Sequence, residues 1–456
     1  MLRLRQEHRN QITFLDEFLP PALHDLPEEL AKLDEWLDDE RFFRPFFGHY
    51  HQQLGRPSIP AETYLRMIAL KHQYNLSDRE VCALVEDRIS WRRFCRIPWD
   101  KPVPHPSSLS KIRRRLDADG GDHMALLNEH LVRKAREQGL LKARKIRVDT
   151  TCVEANIHHP TDASLIYDGV RTITRLVKRV KALGDAAGLC FRDRTRSLKK
   201  RLLNITKVLR RRTGEAVQEV RRITGDMADI GDKVVHTTNR VLEKLKASGD
   251  TAVRRVAERL AALQDRTRRI IEQARQVNAG HLKLPDRVVS IFDVDARPIK
   301  SGKLDRPTEF GYKVRLTESE EQLITEYEVF QGNPADSDLL IDGVTEHCRR
   351  VGRVPVRIAT DRGFWDPGNE RSLTKLGVQK VSLPHKGKLS GKRQAYERQS
   401  WFKRLQHWRA GQEATISVLK RRYGLDRTLY RGVDGSRRWV GGVIWAHNLN
   451  RIAQIA

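Results

Sequence analysis

Residues 408–423 read WRAGQEATISVLKRRY, and the fold and chemistry expected of the whole chain turn on this stretch. At 100° per residue Arg409, Glu413 and Lys420 fall within an arc of about 40°, so a carboxylate sits between two cations on one helical stripe. That stripe is about 16 Å long at 1.5 Å per residue, enough for a metal-binding oxygen at its middle and phosphate-binding groups at its ends. A solvated charged helix laced with i,i+4 pairs produces the same pattern. Ile416 lies on the stripe too, so the face is at least partly covered. Two aspartates elsewhere weigh against the solvated reading, because Asp149 and Asp361 each close a short apolar run.

Moving outward from the helix, PVRIATDRGF predicts a short strand with Asp361 at its end, and QKVSLPHK predicts another. KIRVDTTCVEAN predicts a strand through Ile146 and Val148 that presents Asp149, although an aspartate that initiates a turn looks the same. Between them RVVSIFDVDA, FGYKVRLTE and LITEYEVF alternate as an antiparallel meander does. GNPADSDLLIDGVTEHCRRVG follows as a helix with Asp336 or Ser337 near its cap. GSRRWVGGVIWAHNLNRIAQI gives a last helix with Trp445 and Leu449 in the core. The class is therefore α/β, mixed α+β.

Residues 166–282 break this order, with apolar residues at helical spacing and almost no strand signal. From Asp168 to Arg275 there are 28 lysines and arginines against 13 aspartates and glutamates, an excess of 15 positive charges. The segment reads as an inserted helical hairpin or small bundle, broken near Gly214, Gly231 and Gly249. It is either a solvated scaffold or a contact for nucleic-acid backbone.

At the other end, residues 1–53 are helical and apolar in patches, with ITFLDEFL and a cluster of Phe42, Phe43, Phe46 and Phe47 that suits packing. Residues 54–140 carry Pro60 at a helix start, His72 at a core edge, a Ser77/Glu80 capping box, and Ser107/Ser108 capping the basic SLSKIRRRL. Three short helices, the last one basic, look like a helix-turn-helix arrangement. Lys111, Arg113, Arg114 and Arg115 are its candidate DNA contacts, or else a solvated face.

The composition bounds these readings. A chain of 456 residues with 39% hydrophobic content and a mean hydropathy of −0.60 reads as a soluble protein of two or three domains. No apolar run approaches 18 residues, and MLRLRQEHRN lacks an apolar signal core, so neither a membrane span nor export is expected. Cys82, Cys95, Cys152, Cys190 and Cys348 are scattered singly, which disfavours a disulfide framework or a zinc cage and fits a reducing cytoplasm. The formal charge of +27 points to a polyanionic partner. Nucleic acid is the expected one, since no basic amphipathic anchor for a membrane stands out.

If the strands bearing Asp149 and Asp361 are neighbours and the Glu413 helix packs across them, three carboxylates converge. Such a hard, oxygen-rich cluster suits Mg²⁺ or Mn²⁺ rather than zinc. Two such ions support in-line phosphoryl displacement on DNA. Asp293 and Asp295 compete for a place in the site. Glu154 reads as structural, His158 and His159 as possible bases or DNA contacts, and Trp365 as a core residue or a base-stacking one.

Taken together, these motifs resemble the insertion-sequence DDE transposases, and the resemblance covers nearly the whole chain. GRPSIPAETYLRMIALKHQYNLSDREV with PHPSSLSKIRRRL is similar to the InsH-type N-terminal domain of that group. RVDTTCVEANIHHPTD is similar to its first-aspartate motif, ATDRGF to its second, and RAGQEATISVLKRRYGLDR to its glutamate motif. Arg409, Glu413 and Lys420 match three positions of the Tyr-Arg-Glu-Lys signature, while Gln406 stands at the tyrosine position and leaves Trp408 or Tyr423 as a nearby aromatic.

The resemblance implies an RNase H-like mixed sheet flanked by helices, split into residues 141–165 and 283–456 by the 166–282 insertion. It implies Asp149, Asp361 and Glu413 as a catalytic triad holding two Mg²⁺ or Mn²⁺ ions, with Arg409 and Lys420 on phosphates of the transposon end. It further implies double-stranded DNA, both transposon ends and target, as partner, a dimer on that DNA, and a place in the bacterial cytoplasm at the nucleoid. An RNase H-like nuclease or resolvase without strand transfer, and a transposase-derived DNA-binding protein with a dead site, are the competing readings.

Overall fold

In the computed structural model of the protein, residues 1–5, 17–20, 23–182, 190–246, 250–300 and 307–456 are described. Most of the ITFLDEFL run and the break expected near Gly249 lie outside them. The chain divides into two compact units, one made of Met1–Glu154 with Tyr312–Ala456 and the other of Ala155–Gly311.

Six strands occur among the described residues: β1 (Lys145–Glu154), β2 (Arg297–Lys300), β3 (Thr308–Ser319), β4 (Ile324–Phe330), β5 (Arg357–Thr360) and β6 (Lys380–Ser382). In the first unit β1 is central. It runs parallel to β5, which is parallel to β6, and on its other side it borders β3, which is antiparallel to β4. Ile146, Val148, Ile358 and Val381 bury one face against Leu340, Val344, Phe364 and Leu373 from the covering helices. Parallel strands covered in this way read as short apolar runs, which is why KIRV and RIAT were visible in the sequence.

The opposite covering element is the helix Ser400–Tyr423. Arg147 on β1 is buried and makes a bidentate pair with Glu318 on β3, at 2.9 and 2.6 Å. It also donates to the Trp408 carbonyl at 2.6 Å, and Thr415 donates to Glu318 at 2.9 Å. A Cβ on Gly411 would lie 2.7 Å from Arg147 Nη1, so a larger residue there would push the guanidinium from its place under the helix.

The N-terminal helices belong to the same unit. Ala61–Gln73 is buried along its whole length, and the capping box of Ser77 and Glu80 opens Asp78–Asp87. The basic helix Pro106–Leu116 is capped by His105, whose ring accepts from the Ser107 amide, rather than by Ser107 or Ser108. With Pro106 at the first helical position, the serines already lie inside the first turn. His72 is fully buried against Trp439 rather than at a core edge. Phe42, Phe43 and Phe46 are buried as expected, whereas Phe47 is exposed. The C-terminal helix Gly432–Ile455 packs through this region with Trp445 and Leu449 in the core. Its Asn448 side chain both accepts from and donates to the backbone of Ile324, at 2.9 Å each, satisfying a strand edge.

The second unit is a helical bundle of Asp162–Ala182, Thr195–Leu209, Gly214–Lys246 and Thr251–Asn278. The break expected at Gly231 does not occur, and the 33-residue helix Gly214–Lys246 runs through it. A Cβ there would meet Ile271 at 2.8 Å, so this glycine serves helix packing, not helix termination. RVVSIFDVDA is not a strand: Val288 and Ile291 pack into the bundle core, and Ser290 Oγ accepts from the amides of Phe292 and Asp293 in a turn. The strand begins later, at Arg297, where β2 pairs with the first residues of β3. The unit starts ahead of residue 166 because the first helix opens at Asp162, where Arg287 and Gln273 hold the Asp162 carboxylate. The architecture is mixed α/β: a mixed sheet with covering helices, a helical N-terminal region and a large helical insertion.

Candidate active site

Asp149 lies inside β1, not at its end, since the strand continues to Glu154. Its parallel pairing with β5 stops one residue earlier, at Val148 opposite Thr360, so the next residue on each strand is an aspartate. Asp361 then caps the turn Arg362–Phe364, accepting from the Gly363 amide at 2.9 Å. Asp149 accepts from the Thr150 amide at 2.8 Å. Burial, then the charge of Asp361, push the Asp149 carboxyl up to about 7 against the opposing pull of Thr150 and Arg409. Burial and the charge of Asp336 raise Asp361 in the same direction.

Asp336 enters this site from the first turn of the helix Asp336–Val351. Its carboxylate does not cap the helix. It accepts from Thr150 Oγ1 at 2.8 Å and pairs with Lys313 at 2.6 Å, and a Cβ on Gly363 would lie 2.9 Å from it. Asp336 and Lys313 were absent from the candidates read in sequence. The one available signal was alternation, because Lys313, Arg315 and Thr317 line one side of β3 and all three are buried.

Arg409 connects the sheet to the helix stripe. It stands 3.4 Å from Asp149 and 3.4 Å from Glu413, and it is much less exposed than Glu413, whose side chain is 72% accessible. Glu413 therefore shares the face of the two aspartates but lies across a guanidinium from them. Among the described residues, no three His, Cys, Asp or Glu side chains stand close enough together to hold a metal ion. Lys420 is half-buried two turns further along, and Ile416 is partly covered, as expected.

Gln406, at the signature tyrosine position, donates from Nε2 to the carbonyls of Thr360 and Ser382 at 3.1 and 2.9 Å and to Ser382 Oγ at 2.9 Å. It ties the helix to the ends of β5 and β6, next to Asp361. Of the two aromatic substitutes, Tyr423 is buried against His447 and so unavailable to DNA. Trp408 carries Lys145 and Arg147 on its ring, at 4.4 and 4.8 Å. Trp365 is stacked by Arg393 and His385.

Among the N-terminal cations Lys111, Arg114 and Arg115 are exposed, with Arg115 stacked on Tyr50. Arg113 is partly buried and engaged within the protein. It pairs with Asp78 at 3.2 Å and lies over the Tyr430 ring at 4.2 Å, because its position on the helix faces the hydrophobic side. Glu154 is structural, bonded to Arg427 at 2.7 Å. In the second unit His158 is bonded to Asp168 at 2.6 Å, His159 packs on Phe310, and Asp293 is buried. No described helix is long and apolar enough to cross a membrane.

Residues 14–115 match the family described as Transposase domain (DUF772), and residues 287–449 match the Transposase DDE domain. The second match begins beyond the helical bundle and includes Asp336, Asp361, Arg409, Glu413 and Lys420. A curated relative, "Uncharacterized protein ORF8 in nfe locus" of Rhizobium meliloti, is 26% identical over 143 residues, covering 30% of this chain and 67% of that protein. No solved structure matches.

Proposed function

This chain belongs to the insertion-sequence DDE transposase family, and from that premise we propose that it binds the terminal inverted repeats of its element, cleaves the phosphodiester at each end and joins the 3′-hydroxyls to target DNA. The transposase DDE domain carries an RNase H-like fold, with which the mixed sheet and its covering helices agree. The observation that carries the reading is the placement of Asp149 and Asp361 side by side at the point where two parallel strands stop pairing, under a helix that bears Arg409 and Glu413.

The donor set is all oxygen, which suits a hard divalent cation, and the Asp149 and Asp361 carboxyls are raised first by burial and then by a neighbouring aspartate. Asp149, Asp361 and Glu413 would hold the metal, Mg²⁺ or Mn²⁺ as two ions. When bound, these ions supply an activated water or 3′-hydroxyl and stabilise the leaving oxygen. Arg409, which touches Asp149 and Glu413 here, would turn to a phosphate of the transposon end, as would Lys420 further along the stripe. Asp336 and Lys313 position the aspartates, Lys313 by neutralising Asp336 beside them. Lys111, Arg114 and Arg115 would meet DNA through the N-terminal helix. Each end needs its own active site, so the working form is at least a dimer on DNA.

The test is cleavage and strand transfer on a fragment carrying the element's own ends, with Mg²⁺ or Mn²⁺, comparing wild type with Glu413→Gln. The variant keeps the shape and removes the charge. Metal-dependent cleavage and joining by wild type, with binding but no cleavage by the variant, supports the reading. Equal cleavage by both removes Glu413 from the triad, and binding without cleavage by both makes the protein a DNA-binding one with a dead site.

A further inference from the structure

We propose that the helix Thr195–Leu209 of the inserted bundle is a docking edge for the backbone of duplex DNA, a role that rests on the transposase reading and adds sequence-independent grip to it. On this helix and its continuation Arg196, Lys199, Lys200, Leu203, Lys207 and Arg210 fall within an arc of about 100°, and the stripe is about 21 Å long at 1.5 Å per residue. All six are exposed. Leu198, Ile205 and Val208 project from the other side and are buried in the bundle core, so packing holds the cations outward.

The charge is concentrated here rather than spread over the insertion. Residues 192–212 contain ten lysines and arginines and a single acid, Asp193, which is already paired with Lys178 at 2.6 Å. The next helix, Gly214–Lys246, carries six cations and six acids. A scaffold kept soluble by charge has no need of so uneven a division between adjacent helices. Between the two helices runs a groove of about 730 Å³, lined by Lys200, Arg201, Asn204, Lys207, Arg210 and Arg222. Its acid, Asp226, lies 3.7 Å from Arg222.

Duplex DNA presents one phosphate per 3.4 Å along each strand, so a 21 Å stripe spans roughly six phosphates of one strand and several of its cations meet one each. A membrane surface fits poorly, because Leu203 is the one apolar side chain on the stripe and no aromatic accompanies it.

The experiment measures binding of the full-length protein to a duplex lacking the element's ends, across a salt series, for wild type, K199Q/K200Q/K207Q/R210Q and the charge-keeping K199R/K200R/K207R. The expected result is a slope of log Kd against log salt shallower by about 3–4 in the glutamine variant, at about 0.9 per phosphate contact. The arginine variant keeps the wild-type slope, and both keep the wild-type melting temperature. An unchanged slope in the glutamine variant overturns the proposal while leaving the transposase reading intact if wild type still cleaves its ends. If the glutamine variant keeps its duplex binding but loses affinity for a single-stranded RNA measured in the same salt series, the proposal is overturned in favour of an RNA partner. A wild type with no affinity for duplex DNA overturns both readings.

Discussion

Asp149 and Asp361 occupy the first unpaired positions after Val148 and Thr360, on neighbouring parallel strands. The folded protein holds a proton on Asp149 up to about 7, whereas an ordinary aspartate releases it near 3.8. The folded state thus binds more protons than the unfolded one between about pH 4 and 7, so this contribution to stability is present below that window and is lost as pH rises through it. Metal-free Asp149→Asn should therefore melt higher than wild type at pH 8 and not at pH 4, with a ceiling of about 4 kcal/mol at 1.36 kcal/mol per pH unit. Equal melting temperatures at pH 8 would show that the aspartate bears no such electrostatic load.

The Arg147–Glu318 pair lies between the sheet and the Glu413 helix with both side chains buried. Removing one partner leaves the other charged and buried, so Glu318→Gln or Arg147→Met should cost about 3–5 kcal/mol in denaturant unfolding. The double replacement Arg147→Met/Glu318→Leu should recover a large part of that loss. If each single variant costs less than about 1 kcal/mol, the pair is not what fixes the helix on the sheet.

Gln406 clamps three acceptors with one amide nitrogen. Gln406→Ala should slow cleavage while leaving affinity for the ends unchanged, because the clamp acts on the position of Asp361 and not on DNA. Gln406→Glu should be worse than alanine, since a carboxylate would face two carbonyl oxygens and cost on the order of 1–3 kcal/mol. Measured end affinity and single-turnover cleavage separate these outcomes from a direct DNA contact, which would lower both.

The basic N-terminal helix divides its cations. Arg113→Ala should lower the melting temperature, because Asp78 then loses a partner that helps hold it below the ordinary carboxylate range, behind only Lys71 in charge effect. Lys111→Gln and Arg114→Gln should leave the melting temperature alone and each flatten the salt dependence of DNA binding by about 0.9. A salt-slope change on replacing Arg113 with no loss of stability would reverse this division.

Much of the sheet was legible because its parallel strands are buried on both faces, and KIRV and RIAT announce that burial in four residues each. The Glu413 helix was legible as a helix from its phase, but its charged stripe became a candidate site only in the company of Asp149 and Asp361. The polar side of β3 was not, because Lys313, Arg315 and Thr317 alternate with apolar residues as a solvent-facing strand does. Here that side is covered, and Arg315 pairs with Glu326 at 2.7 Å under Gly343, whose missing side chain leaves the guanidinium room. Asp336 was hidden for a related reason: an acid in the first turn of a helix normally reads as a dipole partner, and only the tertiary contact with Lys313 and Thr150 reveals another role. Gly231 misled in the opposite direction, since tight helix packing and helix ending both select glycine.

The position of the inserted bundle also sets a schedule for synthesis. Asp149 emerges before the bundle and Asp361 after it, 212 positions further along the chain. At ribosomal rates of 5–20 residues per second, roughly 10–40 s separate their appearance. During that interval the bundle helices and then β3 are made, while the central strand β1 still lacks β5 and the N-terminal helices still lack Trp439, Trp445 and Leu449 from the last helix. A nascent chain stalled before β5 would hold the inserted bundle without an assembled aspartate pair.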